Sequence, residues 1–159
     1  PVGIPGSEIY IAGSIDRIDV GDGEITALVT DYKSGRTPRV KGFNLNGGKE
    51  LQRCLYAFAA KNLLKANPTV QAQLIYLKKP EKTFTLADPD GTLEKLAAYI
   101  TAAANSFLNG NAYPGPAAEE DYYDFRFALP AGAKNGYLKR KLSHVEESLT
   151  QLAPLWKEP

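Results

Sequence analysis

The sequence predicts an α/β fold in which a mixed β-sheet is flanked by α-helices. Segments rich in β-branched residues alternate along the chain with segments whose apolar residues recur every three or four positions. A short turn joins the first two predicted strands, which would form an antiparallel hairpin, whereas a predicted helix separates the second strand from the third. This order of elements favours a layered sheet with helices packed on it.

The two strands of the hairpin follow a lead that is rich in proline and glycine. The first strand is predicted over residues 7–20 and the second over residues 24–33. The Asp22-Gly23 dipeptide between them is typical of the centre of a two-residue turn. Residues 34–48 are rich in glycine and basic side chains, and they are predicted to form a loop.

The rest of the chain continues with helices and strands. The predicted elements, in chain order, are a helix over residues 49–66 that Asn67-Pro68 ends, strands over residues 70–78 and 83–86, and helices over residues 92–108 and 136–152. Between the last two helices, residues 112–130 are aromatic, acidic and interrupted by prolines. We expect one domain over residues 1–159, with residues 1–6 as a lead and residues 112–159 as a C-terminal extension.

Composition excludes several classes of protein. The net charge of +1 does not by itself indicate a nucleic-acid partner. The single cysteine, Cys54, rules out an internal disulfide and a cysteine-rich metal site. No segment reaches the roughly 18 apolar residues of a membrane span, so we expect a soluble protein of a reducing compartment. The sequence contains no methionine, and we expect it to be a piece of a longer polypeptide.

Three charged residues on the predicted hairpin form a candidate site. If Asp22-Gly23 are the central turn residues, Asp16 lies opposite Val29. Because side chains alternate along a strand, Asp16, Asp31 and Lys33 then share one face of the sheet. The two carboxylates would be diagonal neighbours, about 7–8 Å apart at the backbone, which is close enough to bind one cation together.

These residue types suit metal-assisted phosphodiester hydrolysis. Mg²⁺ and Mn²⁺ prefer oxygen ligands, which two carboxylates and the backbone carbonyl of Tyr32 would supply. A bound metal ion activates water for attack on a phosphodiester, and Lys33 could position that water and stabilise the developing charge. Two unrelated aspartates and a surface lysine would give the same spacing, so the spacing alone leaves both interpretations open.

Three blocks of sequence resemble a known family. They are residues 13–19 (GSIDRID), residues 31–35 (DYKSG) and residues 51–57 (LQRCLYA), in this order. They match almost completely the patterns G-x-I-D-R-I-D, D-Y-K-S/T-G and L-Q-x-x-L-Y-A of the RecB/AddB branch of the PD-(D/E)xK nucleases. The chain therefore resembles the RecB-type exonuclease domains of bacterial recombinational repair.

The resemblance implies a restriction-endonuclease-like core and assigns roles to five residues. Asp16 and Asp31 would bind Mg²⁺ or Mn²⁺, and Lys33 would be the catalytic lysine. Gln52 and Tyr56 match the helix motif that borders the active site in this branch, and their spacing places both on one helix face.

The resemblance also implies an activity and partners. The expected activity is exonuclease action on DNA ends in repair or recombination, alone or with helicase or other repair subunits. The expected location is the cytoplasm, as for a bacterial or phage-type protein. A non-catalytic DNA-binding or scaffolding module of the same fold is one alternative, and a stand-alone endonuclease is another. Intact Asp16, Asp31 and Lys33 argue against the non-catalytic alternative.

The sequence departs from the family in two ways. Relatives commonly have a helix before the first strand that places a histidine or glutamate near the metal, and this sequence begins too late to contain it. Many relatives also hold an iron–sulfur cluster through cysteines that this sequence lacks, so we expect no cluster.

Several other residues have open or structural interpretations. Arg36, Arg39 and Lys41 could contact DNA phosphates, although solvated loop charge is an equally good interpretation. Arg17 and Asp19 are predicted to form a structural ion pair on the face opposite Asp16. The remaining expectations are a core position for Cys54, a surface position for His144, a possible second basic cluster at Lys134, Lys139, Arg140 and Lys141, and core packing for Tyr122, Tyr123, Phe125 and Phe127.

Overall fold

The computed structural model describes residues 1–38, 43–65, 67–78, 80, 82–111 and 136–157. The chain divides into two compact units, the first formed mainly by Pro1–Ala98 and the second by Tyr99–Lys157. The candidate site lies in the first unit. In the described residues, no helix has the length and apolar character that a membrane crossing requires.

The first residues fold back on themselves and do not form a simple lead. Strand β1 (Val2–Gly3) pairs antiparallel with β2 (Tyr10–Ile11) in a small separate sheet. The Ile4 backbone amide donates to the Ile9 carbonyl at 2.8 Å, and Ile4 is buried. Gly6 has a φ of 73°, which a residue without Cβ adopts at little cost, so the chain can turn here.

The predicted strand over residues 7–20 is therefore wrong in its extent. The structure divides it into β2 and β3 (Arg17–Val20), with residues 12–16 between them outside any strand. The β-branched composition of the segment favours extended backbone. It does not reveal that the two ends of the segment belong to different sheets.

The main sheet has four strands in the order β3, β4 (Thr26–Lys33), β5 (Thr69–Tyr76) and β6 (Lys82–Thr85). The pairs β3–β4 and β5–β6 are antiparallel, whereas β4 and β5 run parallel. The predicted mixed sheet is confirmed, and its parallel pair requires a crossover connection.

The register of the hairpin differs by two residues from the predicted one. Ile18 pairs with Val29, whereas the predicted partner of Val29 was Asp16. The turn is longer than predicted, because a 3₁₀ turn at Asp22–Glu24 and then Ile25 connect the strands. A shift by an even number of residues leaves the side chains of the paired residues on their predicted faces.

Helix α1 (Gln52–Leu63) is the crossover between the parallel strands, and it contacts β4 and β5. Its buried positions recur at helical spacing and are Arg53, Cys54, Ala57 and Ala60. Alternate residues of the two strands face the helix and are buried, namely Ala27, Val29, Val70, Ala72 and Leu74. Small alanines on both sides allow the helix to lie close to the sheet.

The helix starts later than the predicted boundary at residue 49. A 3₁₀ turn at Asn46–Gly48 precedes it, with positive φ at Asn46 (47°) and Gly47 (63°). Lys49, Glu50 and Leu51 then lead into the helix, and Leu51 is its N-cap residue. The C-terminal boundary is likewise shorter than predicted, because Leu64 has an extended conformation.

Helix α2 (Pro89–Leu108) begins three residues before its predicted start. Asp88 caps it, since its Oδ1 accepts a hydrogen bond from the Gly91 backbone amide at 3.0 Å. Proline is favoured at the first helical position, where no intrahelical donor is needed. At the start of α2, the Asp90 carboxylate pairs with Lys61 of α1 at 2.9 Å.

The second unit contains the last part of α2 together with α3 (Tyr137–Ser148) and α4 (Ala153–Lys157). The helix predicted over residues 136–152 is confirmed as α3, although it ends at Ser148, and α4 was not predicted. The predicted aromatic segment over residues 112–130 lies outside the described residues, as do Lys134 and the four aromatic residues expected in the core.

Candidate active site

The centre of the candidate site lies at the C-terminal end of β4. Asp31 and Lys33 are two residues apart on the strand and face the helix-covered side of the sheet. The Lys33 ammonium nitrogen, Nζ, lies 2.6 Å from Asp31 Oδ2, and the two side chains are 27% and 8% exposed. The prediction that these two groups share a face is confirmed.

One oxygen of the buried Asp31 carboxylate is held by the Lys33 ammonium. Asp31 Oδ2 is inaccessible to solvent, and in the described part of the chain its contact is the ion pair with Lys33 Nζ at 2.6 Å. A buried charge is tolerated when it is paired. A metal ion bound at this oxygen would share it with the ammonium.

Asp16 approaches the same strand from the other side of the hairpin. It lies in a bend directly before β3 and is exposed, where the sequence predicted a place within the strand. Its Oδ2 accepts a hydrogen bond from the Tyr32 backbone amide at 2.9 Å. In the observed register Ile15 would be the next partner of Tyr32, so the carboxylate takes the place of a strand carbonyl.

The relation between the two aspartates differs from the predicted one. The sequence predicted a diagonal pair within two paired strands, but the pairing ends at Arg17 and Thr30, and Asp16 lies in the bend before β3. The hydrogen bond from the Tyr32 amide holds the Asp16 carboxylate at β4, one residue from Asp31.

Tyr32 contributes backbone atoms to this edge of the strand. A strand residue directs its amide and its carbonyl to the same neighbouring strand. Since the Tyr32 amide binds Asp16, its carbonyl faces the same edge. The Tyr32 side chain is 39% exposed, and alternation directs it to the opposite face from Asp31.

Helix α1 brings two further predicted residues to Lys33. The Lys33 ammonium donates to Gln52 Oε1, and Gln52 Nε2 donates to the Tyr56 hydroxyl at 3.3 Å. A Cβ atom at Gly13 would lie 3.7 Å from the Tyr56 ring. The three sequence blocks, at residues 13–19, 31–35 and 51–57, therefore meet in space.

The donor set fits a hard divalent cation. Asp16 and Asp31 supply carboxylate oxygens and Tyr32 a carbonyl oxygen, the ligand types that Mg²⁺ and Mn²⁺ prefer. Among the described residues there is no cluster of three or more histidine, cysteine, aspartate or glutamate side chains. Such a cluster is not required, since Mg²⁺ commonly keeps several waters and binds through one or two carboxylates.

The predicted ion pair between Arg17 and Asp19 is confirmed on the other face of the sheet. The Arg17 guanidinium contacts the Asp19 carboxylate at 2.7 Å, and both side chains are about half exposed. Hydrogen bonding from Arg17 holds the pKa of Asp19 below its usual value. The pair therefore lies on the opposite face of the sheet from Asp31.

The expected DNA contacts and surface residues are only partly described. Arg36 is exposed, whereas Arg39 and Lys41 lie outside the described residues. Lys139, Arg140 and His144 are also described and exposed. The surface position predicted for His144 is thus confirmed.

Cys54 occupies the core position that the sequence predicted. It is 1% exposed, and burial raises the pKa of its thiol to about 12. A thiol in this environment is neither a good nucleophile nor a good metal ligand at neutral pH.

Sequence reasoning missed three residues around the site. Glu50 and Arg53 form a buried ion pair at 2.7 Å beside Gln52, and their opposite charges three residues apart were a usable signal. Tyr76 is the partner of Lys33 in the parallel register, and burial raises the pKa of its phenol. The position of Tyr76 could be inferred only once the pairing of β4 with β5 was known.

Comparison with known proteins agrees with this geometry. A family model of the PD-(D/E)XK nuclease superfamily matches residues 1–152, which is nearly the whole chain. Neither the curated proteins nor the solved structures give a match. The chain, with its mixed sheet and its Asp31 and Lys33 on one strand, belongs to the PD-(D/E)XK nuclease superfamily.

Proposed function

We propose that the protein is a Mg²⁺- or Mn²⁺-dependent deoxyribonuclease of the RecB/AddB type. The observation that supports this most directly is the buried Asp31 carboxylate 2.6 Å from the Lys33 ammonium, which also donates to Gln52 of α1. This arrangement combines an acidic oxygen that can bind a metal ion with an amine that can stabilise developing charge.

Three groups would hold the metal ion. They are the Asp31 carboxylate, the Asp16 carboxylate and the Tyr32 carbonyl, which the hairpin brings to one edge of β4. When bound there, the ion supplies Lewis acidity, which lowers the pKa of water and neutralises charge on a phosphate. The hydrogen bond from the Tyr32 amide orients Asp16 for this role.

Lys33 would act on the water and the phosphate. Its ammonium has donors to position a water molecule and a charge to stabilise the developing negative charge of the phosphoryl group. Gln52 holds the ammonium through its amide oxygen, and Tyr56 contacts the Gln52 amide nitrogen. The helix thereby limits the positions that a long flexible lysine can occupy.

The finer assignment is an exonuclease that degrades DNA from its ends during repair or recombination, with helicase or other repair subunits as possible partners. The three sequence blocks support this, as they match the patterns of the RecB/AddB branch almost completely. Arg36, Arg39 and Lys41 would contact backbone phosphates. The match over residues 1–152 supports assigning both compact units to one nuclease domain.

The test is degradation of end-labelled linear DNA and closed circular DNA in the presence of Mn²⁺. The proposal predicts loss of the linear substrate, no cleavage of the circle, and no activity after chelation. Asp31→Ala and Lys33→Ala should abolish the reaction, whereas Arg17→Gln, on the opposite face, should not. Equal activity in all variants would reject the site, and cleavage of the circle would indicate an endonuclease. DNA binding without cleavage would favour a scaffolding role.

A further inference from the structure

Arg53, which follows Gln52 in the sequence block of residues 51–57, is a buried arginine. Arg53 is 1% exposed, although an arginine is rarely buried unless its charge is paired. Its Nε donates to Glu50 Oε2 at 2.7 Å, and its guanidinium lies 4.6 Å from the centre of the Phe43 ring. These contacts compensate for the loss of water around the charge.

The same guanidinium connects three parts of the chain. It donates to the carbonyls of Phe43 at 2.6 Å, Asn44 at 3.0 Å and Phe84 at 3.3 Å. Phe43 and Asn44 close the loop that follows β4, and Phe84 lies in β6. Arg53 thus ties the end of that loop and an edge strand to the first turn of α1.

Glu50 completes the start of the helix. No side chain of the N-cap residue, Leu51, caps α1, which would leave the first backbone amides without partners. Glu50 Oε1 instead accepts from the Arg53 backbone amide at 3.2 Å. One carboxylate therefore binds both the backbone and the side chain of Arg53, and it fixes the position at which the helix begins.

Gln52 is the residue immediately before Arg53 and contacts the site. Successive helix residues differ by about 100° in direction, so the two side chains point to different places. Arg53 points into the core, while Gln52 Oε1 accepts from the Lys33 ammonium. Any rotation or shift of the first helical turn would move Gln52 and, with it, the position of Lys33.

We propose that Arg53, held by Glu50, is a positioning residue that sets the place of Gln52 and thereby of the Lys33 ammonium. This inference rests on the proposed nuclease function. It goes beyond the sequence blocks, in which Arg53 stands at a variable position. A displacement of about 1 Å in a catalytic group can cost on the order of a hundredfold in rate, so the effect should be measurable without unfolding the protein.

The experiment is a double-mutant cycle between the positioning residue and the residue it positions. Arg53→Lys keeps the charge, but a single ammonium cannot replace a planar guanidinium that donates to Glu50 and to three carbonyls. Gln52→Ala removes the contact with Lys33. Glu50→Gln is a second variant of a different kind, since it keeps an acceptor oxygen at the start of the helix but removes the charge that Arg53→Lys leaves paired. Circular dichroism and thermal melting establish which variants are folded.

Two quantities are measured on each variant, and the double variant is then compared with Gln52→Ala. Single-turnover rates at saturating Mn²⁺ and linear DNA should fall by about tenfold to a hundredfold in Arg53→Lys, and by less in Glu50→Gln. The Mn²⁺ dissociation constant should stay within about twofold of the original value, since the metal ligands are untouched. The double variant with Gln52→Ala should be no slower than Gln52→Ala alone, because residues that act through one contact are not additive.

A spectroscopic arm is independent of activity. The nuclear magnetic resonance signals of the Gln52 side-chain amide, assigned by their loss in Gln52→Ala, should shift or broaden in Arg53→Lys and Glu50→Gln. An unchanged Gln52 signal, or rate losses that simply multiply in the double variant, would overturn the inference. If the unmodified protein cleaved no DNA, the nuclease proposal would fail, and the amide signals would still decide whether Arg53 positions Gln52.

Discussion

The carboxylate of Asp16 accepts a hydrogen bond from the backbone amide of Tyr32 at 2.9 Å. This contact ends the pairing of β3 with β4, because it occupies the amide that the next strand carbonyl would have bound. It also holds a negative charge at the edge of β4, one residue from Asp31. The same side chain therefore has a structural role, which needs an acceptor oxygen, and a proposed metal-binding role, which needs a charge.

Substitution of Asp16 should separate these two roles. Asp16→Asn keeps an acceptor for the Tyr32 amide, whereas Asp16→Ala removes it. We expect both variants to lose DNA cleavage by on the order of a hundredfold or more. Only Asp16→Ala should also lose stability, by about 1 kcal/mol for the missing hydrogen bond. Cleavage assays and urea denaturation measure the two effects, and full activity of Asp16→Asn would contradict metal binding through its charge.

Substitutions of Asp31 and of Lys33 should have different effects on the affinity for Mn²⁺. The Lys33 ammonium lies 2.6 Å from Asp31 Oδ2, so it competes with a cation for that oxygen. Lys33→Met should therefore bind Mn²⁺ at least as tightly as the original protein while cleaving DNA on the order of a hundredfold more slowly. Asp31→Asn should lose both binding and cleavage. Calorimetric titration with Mn²⁺ distinguishes them, and weaker binding by Lys33→Met would show that the amine does not compete.

The shared face of Asp31 and Lys33 was predictable because it depends only on the alternation of side chains along a strand, whereas the place of Asp16, in a bend outside β3, was not predicted. The turn after Gly21 is two residues longer than predicted, and the register shifts by two residues with it. Asp31 and Lys33 keep their face, because only an odd shift would exchange the faces. The helical spacing of Gln52 and Tyr56 is similarly local information, and in the structure Gln52 contacts Lys33 while Tyr56 contacts Gln52.

Features that depend on distant contacts were not predictable. The pairing of Val2 with Ile11 divides a segment whose composition indicates one strand. The burial of Arg53 depends on carbonyls of Phe43 and Phe84, which are remote in sequence. A charged residue in a helix is exposed by default. The opposite charges of Glu50 and Arg53 indicate an ion pair, but they do not indicate that other segments close over it.

Cys54 should be unreactive while the protein is folded. Burial raises the pKa of its thiol to about 12, so very little thiolate is present at pH 8. We expect labelling by a thiol reagent to be slow in buffer and fast in denaturant. Because the folded pKa is raised, the contribution of the thiol to stability is complete below the pKa of the unfolded state and is lost as the pH rises toward 12. Rapid labelling of the native protein would contradict the core position.

The exposed pair of Arg17 and Asp19 provides a matched control for the site. It belongs to the same sequence block as Asp16, yet its side chains lie on the other face of the sheet. Arg17→Gln and Asp19→Asn should leave Mn²⁺ affinity and cleavage within about twofold of the original values, since solvated pairs contribute little.

The pKa of Asp19 is lowered by Arg17, so the stability due to this pair is present above the unfolded pKa and decreases as the pH falls. In acid denaturation experiments, the stability of Arg17→Gln should therefore decrease less with falling pH than that of the original protein.

Glu50→Ala should be the most destabilising of the single substitutions discussed. Arg53 is 1% exposed and its charge is paired with Glu50 at 2.7 Å. Removing the carboxylate leaves a buried guanidinium without its counter-ion, at a cost of roughly 3–5 kcal/mol. For a chain of this size each kcal/mol lowers the melting temperature by about 2–4 °C, so a decrease on the order of 10 °C is expected.

The control is a double substitution, Glu50→Gln with Arg53→Met, which removes both charges together and should recover part of the loss in melting temperature. A small decrease for Glu50→Ala that the double substitution does not change would mean that water already solvates Arg53, in which case its carbonyl contacts would not hold the start of α1.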